Sequence, residues 1–480
     1  MDLDAKPADA PVPPLVVDLD GTLIQTDLLL ESLFSYLGAY PFRMLSLASA
    51  LSRGKSPFKA ELARYAAIEP AQLPYDERVL SLIREARGNG RQVFLASASN
   101  ERFVRDVAGH LGLFTGWFAS TDGENLSSST RAKRLVEVFG EKGFDYAGND
   151  QADLLVWSSA NRCLAVGPSS SVRSALRAVD ANAFVVERGS GGFRRWIELL
   201  RVHQWTKNGL VFAPIFAAHR FDLDSIVEAT IAAFAFSLAA SSGYILNDLV
   251  DLDADRRHWR KKRRPLAAGT VSARQAIVLA LALLGGAFAI GLFVSPMFVA
   301  VMLVYLALSA AYTLFLKRKM MVDIVALASL YVLRVIAGAV AIGVRPSEWI
   351  LAFSMFIFTA MALIKRYVEL AARLDAALPD PTNRNYRTSD LNVLGALAAA
   401  SGFNAVTVFA LYLYSETVHR LYRHPDVLWL ICPILLYWLG RALIMADRRL
   451  MGEDPVEFAL KDWNSLLSFA LIGLIMIAAA

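Results

Sequence analysis

The chain has 480 residues, of which 55% are hydrophobic and 19% are charged, and its formal net charge is +5. This length is enough for two or three domains, and the apolar content is above that of an ordinary soluble protein. The two cysteines, Cys163 and Cys432, lie far apart in the sequence, which excludes a disulfide framework and a cysteine-based metal site.

Residues 14–187 alternate strand-like and helix-like segments. PLVVDLDGT, RQVFLASAS and FDYAGN are short apolar runs followed by turn residues, and intervening segments such as ERVLSLIREARGNG have helical spacing. This alternation predicts an α/β domain with a parallel sheet and helices on both faces. The mostly helical stretch 27–90 is expected to form a small cap over one end of the sheet.

Polar residues follow the predicted strands of this domain. Asp18 and Asp20 end the first strand and Ser97 ends the second, at the sheet edge where α/β folds bind ligands. Two carboxylates one residue apart can share a Mg²⁺ ion while one of them attacks a phosphoryl group. Ser97 and Lys133 are candidates for binding phosphate oxygens. Further oxygen donors follow the third strand: Asn149, Asp150 and Asp153.

This set of motifs, in this order, resembles the haloacid dehalogenase (HAD) superfamily of phosphohydrolases. The resemblance implies that Asp18 is the nucleophile, Asp20 the general acid/base, and Ser97 and Lys133 the phosphate binders. Asn149 departs from the family pattern, which usually has an acid there, so a non-catalytic regulatory or docking domain is the alternative. The implied ligands of one Mg²⁺ ion are Asp18, Asp20, Asp150 and Asp153.

A short linker, 188–195, separates this domain from an apolar region, 196–480. The segment ERGSGG (187–192) has a flexible composition. Apolar runs long enough to cross a bilayer then recur. Nine spans are predicted, near 205–219, 225–248, 272–293, 296–316, 321–343, 347–366, 392–415, 427–446 and 463–480.

The distribution of Lys and Arg predicts the topology of these spans. The basic residues concentrate after the second, fourth, sixth and eighth spans, and the opposite loops hold few. The N-terminus, MDLDAKPADAPVPP, does not have the pattern of a signal peptide. We therefore expect a multi-pass protein of the inner cell membrane with its N-terminal domain in the cytoplasm. The basic pI of about 9.1 reflects this topology and does not indicate nucleic-acid binding.

The loop after the second span reads NDLVDLDADRRHWRKKRRPLAAG. If the helix continues into it, Asn247, Asp251 and Asp255 share one face, because they are spaced i, i+4 and i+8. Asp248 flanks this stripe. Topology accounts for the basic residues but not for the acids, which contribute little to orientation. Carboxylates stacked in this way favour at least one Mg²⁺ ion that also binds substrate phosphates. Three basic residues are expected to bind a diphosphate leaving group: Arg256, Lys261 and Arg264.

The motif NDxxDxxxD, followed by RxHxxKxxRPLAAG, resembles the UbiA superfamily of intramembrane prenyltransferases. The resemblance covers 195–480 and implies an all-α bundle of nine transmembrane helices with a polar site on the cytoplasmic side. A lipid tail would leave this site sideways between helices.

Most UbiA members carry a second Asp-rich motif, whereas the corresponding region here has a single acid, Asp323. The segments QWTKN (204–208), Y…LK…DI (312–324) and KRYVEL (365–370) are similar to those of the decaprenyl-phosphate phosphoribosyltransferase branch. Trp259 and Ile364 depart from that branch, which usually has Pro and Gly there. Arg334 lies inside a predicted span, where a charge is costly and marks function. The residues expected to bind the two substrates there are Lys207, Asn208, Asn247, Tyr312, Lys317, Arg334, Lys365 and Arg366.

This resemblance implies transfer of 5-phosphoribose from phosphoribosyl pyrophosphate to a polyprenyl phosphate, with the HAD-like domain removing the 5-phosphate of the product. Two alternatives stay open. An aromatic prenyltransferase, similar to 4-hydroxybenzoate polyprenyltransferases, would use a polyprenyl diphosphate but predicts a second acidic cluster. A transporter with a regulatory domain is disfavoured because the charged residues lie mostly at span ends.

Overall fold

The computed structural model describes residues 12–121, 123–189, 192–381, 384–452 and 454–480. Residues 190 and 191 of the predicted linker therefore lie outside the described residues. The chain divides into two compact units: a front unit of Met1–Leu200 with Ile245–Leu279, and a helical unit of Arg201–Tyr244 with Ala280–Ala480. The Asp-rich motif thus belongs to the same compact unit as the N-terminal α/β domain.

The front unit contains a sheet of six parallel strands in the order β3-β2-β1-β4-β5-β6. Every residue of β1 is buried, as expected for a central strand covered on both faces. Apolar side chains on the two faces of the sheet form separate clusters, one around Val17 and Leu95 and one around Val16 and Trp157. The strands are β1 Leu15–Asp18, β2 Val93–Asn100, β3 Gly116–Ser120, β4 Asp145–Gly148, β5 Cys163–Val166 and β6 Phe184–Val186.

Helices connect the strands, and three of them follow β1 as the predicted cap. Asp27 begins the first of these helices by accepting hydrogen bonds from the backbone N–H groups of Leu29 and Leu30. The helices of the α/β domain are α1 Leu28–Ala39, α2 Met44–Ser52, α3 Lys55–Tyr65, α4 Glu77–Gly88, α5 Glu101–Leu111, α6 Ser128–Phe139, α7 Leu154–Ser159 and α8 Ser170–Val179.

The rest of the chain is helical. Its helices are α9 Arg194–Leu200, α10 Ala213–Ala217, α11 Leu223–Val250, α12 Leu252–Arg257, α13 Ala273–Val294, α14 Pro296–Leu314, α15 Val322–Ala341, α16 Glu348–Asp375, α17 Leu391–Leu413, α18 Glu416–Leu421, α19 Ile431–Asp447, α20 Pro455–Lys461 and α21 Trp463–Ala479. Apolar side chains from α15 to α21 form the largest core of the helical unit.

The predicted count of nine spans is not reproduced. Among the described residues, seven helical segments are long and apolar enough to cross a membrane, or eight if the pair α20 and α21, bent by 75°, forms one span. The predicted first span, 205–219, is instead a 3₁₀ helix, Val202–Phe212, followed by the short α10. The predicted architecture, an α/β domain with a parallel sheet and an all-α membrane region, is confirmed.

Candidate functional site

The front site lies where β1 ends, and its two carboxylates have different partners. Asp18 is buried and accepts hydrogen bonds from Arg131 at 2.6 Å and from Thr22 at 3.2 Å. Asp20 accepts from the hydroxyls of Ser97 at 2.7 Å and Ser99 at 2.9 Å. Its other oxygen accepts from the backbone N–H at the start of α1, Leu28, at 2.7 Å. The predicted grouping of Asp18, Asp20 and Ser97 is therefore present in the structure.

The cation beside Asp18 is Arg131. Lys133, the predicted phosphate binder, is exposed on α6, because a step of two residues turns a side chain to nearly the opposite side of a helix. Burial raises the pKa of Asp18 well above its ordinary value, and the positive charge of Arg131 opposes that rise. A basic residue at this place is visible in the sequence TRAKRLV, but the sequence alone does not show which one points inward.

Residues after β4 close the other side of this site. Asn149 accepts a hydrogen bond from Thr22 at 3.2 Å, so it contacts the β1 turn directly. Asp153 is buried and accepts from Arg131, from Tyr146 and from two backbone N–H groups, which makes its carboxylate a structural cap. The side chain of Asp150 is half exposed. Of the predicted cation ligands, Asp150 is thus more accessible to an ion than Asp153.

Lys59 is a candidate that the sequence did not reveal. It lies on α3, and its ammonium group donates to the carbonyl of Ala98 at 2.5 Å and to Asn125 at 2.6 Å. Burial lowers the pKa of Lys59, and the negative charge of Asp20 opposes this. The cap therefore brings a second cation to the edge of the sheet that carries Asp20. Its position in the sequence, distant from every strand end, gives no signal of this.

The Asp-rich motif keeps one face despite a break in the helix. α11 ends at Val250 and α12 begins at Leu252, yet Asp251 N–H donates to Asn247 O at 2.9 Å and Asp255 N–H to Asp251 O at 2.8 Å. These bonds have the i to i−4 pattern of a continuous helix. Asn247, Asp251 and Asp255 therefore remain stacked as predicted.

Arg264 brings two carboxylates of this motif to one point. Its Nη1 atom donates to Asp248 at 3.1 Å and to Asp255 at 2.5 Å. This cationic nitrogen lies between the two carboxylates, and a divalent cation at the same position could be held by the same carboxylate oxygens. Oxygen ligands of this kind fit Mg²⁺. Within the described residues, no group of three or more His, Cys, Asp or Glu side chains converges on one position. Substrate oxygens would have to complete the coordination.

Arg256, predicted to bind the diphosphate, is engaged elsewhere in the front unit. Its two terminal nitrogens form a bidentate pair with Glu31 of α1, at 2.8 and 2.5 Å, and its Nε donates to Ala267 O at 3.2 Å. Both charged side chains are buried, with 6% and 4% of their surface exposed. The hydroxyl of Thr26 donates to the same carboxylate. Arg256 thus ties the Asp-rich motif to the α/β domain. The third predicted cation, Lys261, lies partly buried in a 3₁₀ turn.

Glu31→Gln is expected to destabilise the protein by about 3–5 kcal/mol, because it leaves the Arg256 charge buried without its counter-ion. The midpoint of thermal unfolding in detergent measures this. The matched control is Glu77→Gln, whose side chain is 77% exposed and which should change stability by no more than about 0.5 kcal/mol. Equal midpoints for the two variants would contradict the expectation. The double change Glu31→Leu with Arg256→Met should restore most of the lost stability.

Predicted substrate-binding residues of the helical unit form two buried networks. Arg334 donates to Asn208 at 2.9 Å, to Tyr305 at 3.0 Å and to Leu330 O at 2.5 Å. These three hydrogen-bond acceptors are all neutral groups. Arg366 instead pairs with Asp323 at 2.8 Å and with Glu369.

The other predicted substrate-binding residues of the helical unit differ in burial. Lys207 forms an ion pair with Asp454. Lys317 is buried in the 3₁₀ turn Leu316–Arg318, whereas Tyr312 on α14 and Lys365 on α16 are partly buried. Asp323 also accepts a hydrogen bond from Tyr386 at 2.6 Å. The single acid of this region is therefore bound by Tyr386 and Arg366.

Comparison with known proteins shows which proteins this chain is similar to. Residues 210–461 match the model of the UbiA prenyltransferase family. The uncharacterized protein y4nM of Sinorhizobium fredii is 35% identical over 96% of this chain and 90% of its own length. A decaprenyl-phosphate phosphoribosyltransferase of Mycobacterium tuberculosis is 33% identical over 59% of this chain and 94% of its own length.

The N-terminal region matches a solved structure described as a HAD family hydrolase from Salmonella enterica. That match has 13% identity, covers 34% of this chain and 66% of that one, and has a TM-score of 0.27. The family match in the membrane region covers more than half of the chain, and it agrees with the apolar helices and the Asp-rich motif. The chain is a multi-pass membrane protein that belongs to the UbiA prenyltransferase family.

Proposed function

We propose that this chain transfers 5-phosphoribose from phosphoribosyl pyrophosphate to a polyprenyl phosphate, and that its α/β domain then removes the 5-phosphate from the product. The observation that carries the first step is the similarity to the decaprenyl-phosphate phosphoribosyltransferase of Mycobacterium tuberculosis over 94% of its length. The branch motifs and the stacked acids of the Asp-rich motif support it.

Asp248, Asp251 and Asp255 would hold Mg²⁺ on the diphosphate of the donor, where the ion neutralises charge on the leaving group. A phosphate oxygen of the lipid attacks C1 of the ribose, the bond from C1 to the diphosphate oxygen breaks, and pyrophosphate leaves. The attacking oxygen is already an anion, so the step needs no general base. Lys261 and Arg264 are the cations of the front unit assigned to the diphosphate.

The acceptor carries a single phosphate, and its charge needs cations rather than a second acidic cluster. We assign Lys207, Lys317, Arg334 and Lys365 to this role, with Asn208, Asn247 and Tyr312 as polar contacts to substrate. Arg334 suits it best, because its charge is buried against neutral hydrogen-bond acceptors and therefore favours an anion nearby. Arg366 is the weakest assignment, since Asp323 and Glu369 already balance its charge.

In the second step, Asp18 attacks the phosphorus of the 5-phosphate and the bond from phosphorus to O5 breaks. Asp20 donates a proton to the leaving oxygen, and water then releases inorganic phosphate from Asp18, with Asp20 accepting its proton. Asp18, Asp20, Asn149 and Asp150 would hold a Mg²⁺ ion that offsets phosphate charge. Serine and lysine side chains near Asp20 would bind the phosphate oxygens: Ser97 and Lys59.

The test uses membranes that contain the full chain, situated, as we propose, in the inner membrane with the α/β domain in the cytoplasm. They are incubated with Mg²⁺, a polyprenyl phosphate and phosphoribosyl pyrophosphate labelled in the ribose, and lipids are then extracted. We expect the extracted lipid to carry labelled ribose that lacks the 5-phosphate. A parallel reaction contains a polyprenyl diphosphate and 4-hydroxybenzoate. Product in this second reaction alone would overturn the proposal and establish an aromatic prenyltransferase.

Arg131→Met is expected to reduce release of the 5-phosphate by about 100-fold, because the guanidinium group orients Asp18 and offsets charge next to it. Lys133→Met serves as the matched control on the same helix, and it should retain nearly full activity because its side chain is exposed. The ratio of phosphorylated to dephosphorylated lipid measures both. Loss of activity in the Lys133 variant alone would return the phosphate-binding role to Lys133.

A further inference from the structure

The cap of the α/β domain carries an exposed apolar face. Phe42 and Leu45 are 86% and 85% exposed, the largest fractions among the large apolar side chains described in the front unit, and Met44 and Leu51 are more than half exposed. These side chains lie on α2 and on the 3₁₀ turn before it, Pro41–Arg43. An exposed patch of this kind marks a surface for a partner or for a membrane.

The charge around this face favours an anionic partner. Residues 40–60 contain no Asp or Glu, whereas Arg43, Arg53 and Lys55 are exposed beside the apolar side chains. A short helix with apolar residues and flanking Arg and Lys is typical of helices that lie in the headgroup region of a bilayer. Each basic residue near an anionic membrane contributes about 1 kcal/mol of attraction.

The position of the cap supports a bilayer as the partner. α1 ends at Ala39, and its Gly38 lies against Val250, the last residue of α11: a Cβ atom added at Gly38 would be 3.0 Å from Val250 Cγ1. α11 is one of the candidate membrane spans. The apolar turn and α2 follow α1 directly in the chain, next to this contact with the end of a candidate span.

We propose that α2 and the turn before it rest in the headgroup region of an anionic bilayer and that the front site acts on phosphate esters presented by that surface. α3 follows α2 through Gly54 and carries Lys59, whose ammonium group reaches Ala98 O and Asn125. The same helical pair thus supplies both the membrane contact and a cation at the site. This inference rests on the proposed phosphatase and adds to it the surface that would present its lipid-borne substrate to the front site.

The contact is tested with the full chain in nanodiscs that contain phosphatidylglycerol. The native cysteines are replaced (Cys163→Ser, Cys432→Ser), and a nitroxide label is attached at Leu45→Cys or, as the control, at Val138→Cys, an exposed apolar position on α6. For each label we measure the ratio of its collision rate with oxygen to its collision rate with a water-soluble nickel chelate. We expect this ratio to be severalfold higher at position 45 than at position 138. Equal ratios would overturn the proposal, and spin–spin broadening between chains would assign the face to a second copy instead.

The functional arm compares two phosphate esters. Phe42→Ser with Leu45→Ser should lower kcat/KM on the phosphoribosyl lipid by about 10-fold, because buried apolar area is lost at the membrane. Hydrolysis of soluble p-nitrophenyl phosphate should not change. An equal loss on both esters would overturn the role in substrate presentation. Failure of the wild-type chain to hydrolyse either ester would refute the phosphatase, while the label still decides the membrane contact.

Discussion

Asp251→Asn is expected to reduce transfer of ribose label into lipid by about 1,000-fold, which corresponds to about 4 kcal/mol of transition-state stabilisation. Asp251 is the middle member of the stacked Asn247, Asp251 and Asp255, and its carbonyl accepts the bond that continues the stack. The amide keeps the size of the side chain but removes the negative charge that a divalent cation requires. The expected loss therefore comes from metal and diphosphate binding rather than from folding.

The matched control for this prediction is Asp253→Asn, in the short helix α12 that begins directly after Asp251. Asp253 is 38% exposed and pairs with Arg257, one turn away, so its neutralisation should change transfer by less than about twofold. Raising the Mg²⁺ concentration should recover part of the Asp251 loss and leave the control unchanged. If both variants lose activity equally, the stripe of acids is not what binds the diphosphate.

Asp18→Asn is expected to abolish removal of the 5-phosphate, a loss of about 10,000-fold or more for an enzyme deprived of its nucleophile. Label should still enter the lipid, and the product should accumulate with its 5-phosphate in place. The carboxylate contacts Arg131 and Thr22, and an amide can keep the contact with Thr22, so the fold around β1 should be retained.

Ser120→Ala is the control for this second prediction. Ser120 is buried at the end of β3, and its hydroxyl bonds the backbone of Ala98 and Leu126 rather than a carboxylate. It should reduce 5-phosphate removal only modestly. If Asp18→Asn leaves the lipid product unchanged, the α/β domain does not act on it, and a regulatory role replaces catalysis.

The sequence predicted the elements that depend on local pattern. Strands β1, β2 and β4 lie where apolar runs precede turn residues, and the spacing of Asn247, Asp251 and Asp255 survives the helix break because backbone bonds continue across it. The first predicted span was wrong because that prediction also depended on local pattern. Apolar composition over 205–219 satisfies a length rule, but the segment folds as a 3₁₀ helix and a short α-helix.

Side-chain direction and pairing were not predictable from one sequence. Arg131 and Lys133 are both basic and two positions apart, and only the orientation of α6 decides which of them contacts Asp18. The pair of Glu31 and Arg256 joins residues that are 225 positions apart. Nothing in the composition of either segment indicates that pairing, since each charge is also plausible on a solvated surface. Lys59 is a third case, because the cap brings it to the site from outside every motif.

The pairing of Glu31 with Arg256 also bears on how this protein can be dissected. A truncated protein that begins after the linker would keep every residue matched by the family, yet it would remove the carboxylate that holds Arg256 and uncover the surface around Val250. Its inactivity would then say little about catalysis by the α/β domain. Single substitutions in the intact chain, or a truncation that also carries Arg256→Met, keep the two effects separate.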